Sequence, residues 1–200
     1  MATSSRRAAA VVVLAVALGG CGTVATVRPA ASHPSTRVRA ATTAFGWLST
    51  GPAPASWSPA GTVVGGALPR PPGWHAVRSD PGSVSFAELA GDAIVGYLNA
   101  TPRSGGETLA NWPRFRPEHN AEEGDRDVRT SAAATGLRIG AARASCVSDE
   151  YRTSRSRYRE LACLITRSGT STVTVGAAPP GVWSRQLPII ERAIAGFVAS

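Results

Sequence analysis

The chain has 200 residues and a formal net charge of +8, and all 21 of its basic residues are arginine. Because lysine is absent, a P-loop lysine, a Schiff-base lysine and a Ser-x-x-Lys acyl-enzyme site are excluded. The length suits one domain of ordinary size with a shorter segment before it. The basic balance favours anionic lipid or wall polymers as partners. Nucleic acid is not expected as a partner, because the composition of residues 1–21 predicts export from the cytoplasm.

Residues 1–21 have the parts of a bacterial export signal. The basic pair Arg6-Arg7 is followed by an apolar run at 8–18, two glycines and Cys21. The run has about half of the ~20 residues that a membrane-spanning helix needs, so it indicates a signal core and not an anchor. No Phe-Leu-Lys follows Arg6-Arg7, and the sequence leaves open whether export uses the general secretory or the twin-arginine route.

The tetrad Leu18-Gly19-Gly20-Cys21 resembles the lipobox of bacterial lipoproteins. The resemblance implies that residues 1–20 are a signal peptide and that Cys21 carries acyl chains such as palmitate. It also implies that the mature protein is held at the extracytoplasmic face of the cell membrane. Each buried methylene contributes ~0.8 kcal/mol, so two or three chains make a stable anchor. The alternative is an ordinary secretory signal with a cysteine nearby.

Residues 21–66 are rich in Ala, Ser, Thr and Pro and have neither a helical nor a strand period, which predicts a flexible tether. As a coil of roughly 40 residues, its ends would average ~35 Å apart. Phe45, Trp47, Leu48 and Trp57 interrupt this composition. They either pack back onto the domain or lie at the bilayer interface. Packing is favoured, because the segment lacks the charge of an interfacial helix.

Residues 67–200 are predicted to form one α+β domain. Strand-like segments occur at 75–78, 93–99, 128–134, 137–151, 157–166 and 171–177. A first helix is expected to open near Glu107, with Pro113 kinking or splitting it. A second helix is expected at the C-terminus, where apolar residues recur at helical spacing: Leu187, Ile190, Ile194, Phe197 and Val198. Together these elements predict an antiparallel sheet of five to six strands with two helices packed on it.

Two of the strand-like segments, 144–151 and 157–165, flank a polar turn at 153–156 and predict a β-hairpin. Folding the chain about this turn places four pairs opposite each other: Cys146 and Cys163, Glu150 and Arg159, Tyr151 and Tyr158, and the like-charged Asp149 and Glu160. A Cys146–Cys163 disulfide would contribute ~3 kcal/mol and fits an oxidising exterior. Metal binding is the rival use, but two cysteines without nearby histidines fall short of a four-ligand site.

An acidic cluster after the first helix is a candidate cation site, consisting of Glu118, His119, Glu122, Glu123, Asp125 and Asp127. Hard cations such as Ca²⁺ bind oxygen ligands at about this density. The order matches neither an EF-hand loop nor the His-Glu-x-x-His motif of zinc proteases. The alternative is a solvated acidic segment that pairs with neighbouring arginines.

A basic cluster surrounds the predicted hairpin turn and consists of Arg152, Arg155, Arg157 and Arg159. Guanidinium groups bind phosphate in a bidentate manner, so this cluster is a candidate contact for anionic headgroups or wall polymers. The alternative is a solvated basic turn that keeps an edge strand from aggregating.

The opening Pro71-Pro72-Gly73-Trp74, the internal hairpin and the ending at 190–198 resemble the PsbP-like lipoproteins of actinobacteria. The resemblance implies an antiparallel sheet with helices packed on it, and accessory or interaction roles at membranes without a catalytic set or cofactor. The expected function is therefore a non-enzymatic interaction or ligand-binding module, anchored by lipid, with an envelope protein, lipid or wall polymer as partner. The alternative is a cell-envelope hydrolase or metal-dependent enzyme that uses the acidic cluster around His119.

Overall fold

The computed structural model describes residues 43–51 and 53–200. The predicted signal peptide, Cys21 and the first part of the predicted tether lie outside the described residues. The described part contains two α-helices, α1 (Trp112–Glu122) and α2 (Trp183–Ala195), and 3-10 helices at Gly46–Thr50 and Pro180–Val182. Its strands are β1 (Ser58–Val63), β2 (Gly66–Arg70), β3 (His75–Val77), β4 (Val84–Ala90), β5 (Ala93–Pro102), β6 (Arg126–Ile139), β7 (Ala142–Arg152), β8 (Arg157–Arg167), β9 (Thr170–Ala178) and β10 (Val198–Ala199).

The strands form two antiparallel sheets. The larger has seven strands in the order β3-β4-β5-β9-β8-β7-β6, and the smaller has three in the order β1-β2-β10. The α+β class and the two helices are confirmed, whereas the predicted count of five to six strands is wrong. The strands that the sequence did not reveal are short or lack a regular apolar alternation, as in the SPAGTV of β1. These strands form because they pair with neighbouring strands, and not because their own residues have a strong β-propensity.

The seven-stranded sheet carries one helix on each face, because successive side chains of a strand point to opposite faces. Ile190 and Ile194 of α2 lie in a core with the Cys146–Cys163 pair. Trp112 of α1 lies in a second core on the other face. The indole Nε1 of Trp112 donates a hydrogen bond to the Ala162 carbonyl at 3.1 Å and fixes α1 to β8.

Helix α1 begins at Trp112 and not near Glu107. Pro113 lies in its first turn, where a proline costs no intrahelical hydrogen bond, so it neither splits nor kinks the helix. Thr108 and Asn111 order the preceding loop, since each side chain accepts a hydrogen bond from the backbone N–H of the other, at 2.7 and 3.1 Å. The acidic segment 118–127, expected after the first helix, is partly helical, because α1 ends at Glu122.

The aromatic residues of the predicted tether pack against the domain. Phe45 is 3 % exposed in the core beside α2, and Trp47, Leu48 and Trp57 pack against the same core. The packing interpretation of these residues is confirmed. The fold therefore includes residues before position 67, because burying these rings removes a large apolar area from water.

Two boundaries near the C-terminal half differ from the prediction. The segment 137–151 contains the end of β6, a turn at 140–141 and most of β7. Helix α2 ends at Ala195, and Val198, predicted as helical, pairs with Ala67 of β2. In the part of the chain that the structure describes, no helix is long and apolar enough to cross a membrane.

Candidate functional site

The β7–β8 hairpin has the register that the sequence predicts. Cys146 lies opposite Cys163 and forms a disulfide with it, closing a loop of 17 residues. The other predicted pairs are also present: Asp149 with Glu160, Glu150 with Arg159, and Tyr151 with Tyr158. The rings of Tyr151 and Tyr158 lie 6.0 Å apart in a tilted arrangement. Because this register is fixed, the arginines near the turn project at defined positions.

Strand β6 extends the hairpin and brings two more arginines to the same end of the sheet. Arg126 lies opposite Arg152, which lies opposite Arg157. In the next row, Arg129 lies opposite Glu150, which lies opposite Arg159. Antiparallel partners share a face, so both rows lie on the α2 face of the sheet. We call this set the arginine end: Arg126, Arg129, Arg152, Arg157 and Arg159.

Two carboxylates lie among these arginines. The Nε of Arg152 is 3.1 Å from Oδ2 of Asp127, and an Nη2 of Arg157 lies 3.9 Å from the same oxygen. The hydrogen bond from Arg152 and its charge lower the pKa of Asp127. Asp127 has φ of 57°, a backbone conformation that non-glycine residues rarely adopt.

A cavity of about 380 Å³ opens at the arginine end and is lined by Asp127, Arg129, Glu150, Tyr151, Arg152, Arg157, Tyr158 and Pro180. Arg152 and Arg159 are about half exposed, and Arg157 is two-thirds exposed. Five arginines surround two carboxylates, so the site keeps a net positive charge. Partly exposed guanidinium groups with excess charge can bind phosphate or carboxylate groups through paired N–H donors.

The opposite face of the hairpin holds a buried ion pair. Arg116 of α1 donates two hydrogen bonds to Glu160 of β8, at 2.6 Å from Nε and 2.8 Å from Nη2. The side chains of Arg116 and Glu160 are 15 % and 1 % exposed. The hydroxyl of Tyr151 donates a third bond to Glu160 at 3.2 Å. The pair joins α1 to the sheet and is separate from the arginine end.

Asp149 lies beside this ion pair, opposite Glu160, and is 2 % exposed. Asn120 of α1 donates to its Oδ2 at 3.4 Å, whereas Oδ1 has no hydrogen-bond partner among the described residues. Burial, with the charge of Glu160, raises the pKa of Asp149 to about 8. Asp149 therefore carries a proton at neutral pH, which relieves the repulsion between the two carboxyl groups.

The structure does not gather the predicted cation site. Glu118 pairs with Arg114 at 3.6 Å, and His119 pairs with Glu123 at 3.2 Å. Asp127 faces the arginines of the opposite sheet face. No cluster of three or more potential ligands (His, Cys, Asp or Glu) that could hold a metal ion occurs in residues 43–51 and 53–200. Of the six side chains, His119 and Glu123 pair with each other, Glu118 and Asp127 pair with arginines, and Glu122 is exposed.

The predicted basic cluster is partly brought together. Arg152, Arg157 and Arg159 lie at the arginine end, while Arg155 lies in the exposed turn between the strands. The sequence did not predict that Arg126 and Arg129 belong to the arginine end, because β-bulges shift the β6–β7 register along the strand. It also missed the Arg116–Glu160 pair, whose members are 44 residues apart. A buried glutamate in an otherwise apolar strand, as in RELACLI, was the available signal.

No protein-family model and no curated protein matches the chain. The fold is similar to that of CyanoP, the cyanobacterial PsbP of Synechocystis sp. PCC 6803. The two chains are 16 % identical over 68 % of this chain and 87 % of CyanoP, with a TM-score of 0.52. The PsbP-like fold is thus confirmed.

Two further solved structures match less well. Protein PA94 of Pseudomonas aeruginosa is 16 % identical over 67 % of this chain and 91 % of its own, with a TM-score of 0.49. LpqN of Mycobacterium tuberculosis, described as involved in cell envelope biogenesis, is 15 % identical over 66 % of this chain and 82 % of its own, with a TM-score of 0.38. At these sequence identities, structural similarity indicates a shared fold and gives no information about activity.

Proposed function

We propose that this protein is a lipid-anchored, non-enzymatic binding module of the cell envelope. Cys21 is its attachment site at the outer face of the cytoplasmic membrane, and the arginine end binds an anionic group of an envelope polymer or protein. The observation that carries the proposal is the pair of cross-strand rows that places five arginines on one face at one end of the sheet. Arg152, Arg157 and Arg159 lie on the regularly paired strands β7 and β8, so their charges are held in place before a ligand arrives.

The charge pattern of this end favours a ligand with several anionic groups. Asp127 and Glu150 orient Arg152, Arg157 and Arg159 through contacts of 3.1 to 3.9 Å without neutralising the set. An oriented guanidinium loses less side-chain entropy when it binds phosphate than a free one does. A polymer that repeats a phosphate can contact more than one arginine at once, which raises its affinity through effective concentration.

The anchoring part of the proposal is tested with Cys21→Ala in a lipoprotein-producing bacterium. We expect the variant to lose incorporation of labelled palmitate, because the lipobox cysteine is the acceptor. Unchanged labelling would contradict assignment of the anchor to Cys21. Retention in the membrane fraction is not a sufficient readout, since an uncut signal peptide can also hold the chain there.

Binding at the arginine end is tested with the double variant Arg152→Ser/Arg157→Ser. We expect its affinity for poly(glycerol phosphate), measured by titration calorimetry, to fall at least tenfold, because each charge-assisted hydrogen bond contributes about 1.5–3 kcal/mol. Arg78→Ser/Arg114→Ser is the matched control, since it removes the same charge from exposed residues outside the arginine end. Equal losses in both variants would mean that net charge, and not the arginine end, binds the polymer.

A further inference from the structure

The end of the sheet opposite the arginine end has a second cavity, of about 450 Å³. It is bordered by the β6–β7 turn, the end of β8 and the residues that follow α2. Its apolar lining includes Leu48, Ile139, Phe197 and Val198, and the charged side chains that line it are those of Arg138 and Arg167. An apolar floor with a few charged groups at the rim is typical of a site for an amphiphilic ligand.

The two arginines are held at the rim by the backbone. An Nη2 of Arg138 donates to the Ala141 carbonyl at 3.2 Å, and an Nη1 of Arg167 donates to the Ala199 carbonyl at 3.0 Å. Both side chains belong to exposed residues. A guanidinium has five N–H donors, so one bond to a carbonyl orients the group and leaves donors for an anion.

Exposed apolar side chains flank the same end. Val198 is 65 % exposed and Val64 is 62 % exposed, the two highest values among the large apolar residues of the described chain. Val64 lies in the β1–β2 turn, which is fixed to β9 by a 3.0 Å hydrogen bond from the Thr172 hydroxyl to the Val64 carbonyl. Exposed aliphatic groups beside arginines are the combination that proteins use at the surface of an anionic bilayer.

The described chain begins close to this cavity. Leu48 and Gly51, near the first described residue, Thr43, line it, and 21 residues lie between Thr43 and Cys21. The arginine end lies at the other end of β7, whose 11 residues span about 35 Å. The short length of chain between the cavity and Cys21 favours a lipid of the anchoring membrane as the occupant of the cavity.

We propose that this cavity binds an anionic phospholipid of the anchoring membrane. The headgroup phosphate lies between Arg138 and Arg167, and the acyl chain lies against Ile139 and Phe197. The lipid fixes the domain with its arginine end directed away from the membrane. This inference rests on the lipid anchor of the proposed function, and it adds the ligand and the orientation of the domain.

The test uses the mature chain, residues 21–200 with Cys21→Ser, so that no covalent lipid contributes. Binding is measured by flotation with vesicles of phosphatidylglycerol and phosphatidylcholine in equal parts, and with phosphatidylcholine alone. We expect binding to the anionic vesicles only. Arg138→Ser/Arg167→Ser should weaken it about thirtyfold, because each arginine near an anionic surface contributes about a fivefold factor. The control, Arg78→Ser/Arg114→Ser, removes the same charge from exposed residues outside both sites and should change it less than threefold.

A second variant keeps the test valid if loss of the Arg167–Ala199 bond unfolds β10. Arg138→Glu changes the charge by two units and leaves that bond intact, and Arg155→Glu in the β7–β8 turn is its matched control. We expect weaker vesicle binding for Arg138→Glu alone. Equal weakening by both, or binding of the parent to neutral vesicles as well, would overturn the proposal.

Two further readouts separate the possible sources of failure. Soluble glycerol phosphate should not compete with the vesicles, because the apolar part of the ligand is missing; full competition would show that a free phosphate, and not a lipid, occupies the site. If labelled palmitate reaches Cys21 but the Cys21→Ser chain does not bind anionic vesicles, this inference fails while the anchor stands. If Cys21 is not labelled but the vesicles bind, the anchor fails and the cavity stands.

Discussion

Replacing Arg116 with Met tests whether the buried ion pair holds α1 on the sheet. The substitution removes both hydrogen bonds that Glu160 accepts from the guanidinium, at 2.6 and 2.8 Å, and keeps an apolar stem of similar length. Glu160 is 1 % exposed and would retain only the Tyr151 hydroxyl as a described partner. The variant thus leaves a buried carboxylate without its counter-charge.

The magnitude follows from the burial of Glu160. Removing one partner of a buried ion pair costs about 3–5 kcal/mol, because the remaining charge stays buried without its counter-charge. Arg116→Met should therefore lower the free energy of unfolding by about 4 kcal/mol at pH 7, or the melting temperature by about 10 °C.

The assay is urea unfolding followed by tryptophan fluorescence at pH 7, with the disulfide kept oxidised. Arg114→Met is the control on the same helix, because the Arg114–Glu118 side chains are 78 % and 60 % exposed and such pairs contribute little. The double variant Arg116→Met/Glu160→Met should recover most of the loss, since no unpaired charge remains. A loss below 1 kcal/mol for Arg116→Met at pH 7, or no recovery in the double variant, would refute the reasoning.

Three other changes test the interior on both faces of the seven-stranded sheet. In the native state Asp149 keeps its proton up to about pH 8, whereas the ordinary pKa of an aspartate is 3.8, so the free energy of unfolding falls as pH rises between these two values. Asp149→Asn should remove this pH dependence. Parallel pH profiles for the variant and the parent would contradict this. Cys146→Ser/Cys163→Ser should lower the free energy of unfolding in urea by ~3 kcal/mol, because a 17-residue loop is released. An unchanged urea midpoint would contradict this. Gly176→Ala should cost about 1–3 kcal/mol by thermal melting, since its Cβ would meet the Ile190 side chain, and Ile190→Val should restore part of it.

The sequence determined the elements whose partners are close along the chain. The β7–β8 hairpin follows from a polar turn between two strand-like segments, and its register is set by pairs no further apart than Cys146 and Cys163. Helix α2 follows from its apolar period, which places Ile190 and Ile194 on one face. In both cases a local pattern has one arrangement that buries its apolar side chains, so the pattern indicates the element, although it does not place the end of α2.

Tertiary structure decided which charged groups meet. Arg129 joins the arginine end through bulges in β6 that no local pattern reveals, and Arg116 reaches Glu160 because Trp112 anchors α1 on the sheet. The acidic segment looked like one cluster in sequence, but the change from helix to strand directs Asp127 to the opposite face from His119. Charge contacts depend on direction and on burial, and both are set by long-range packing of apolar groups rather than by sequence spacing.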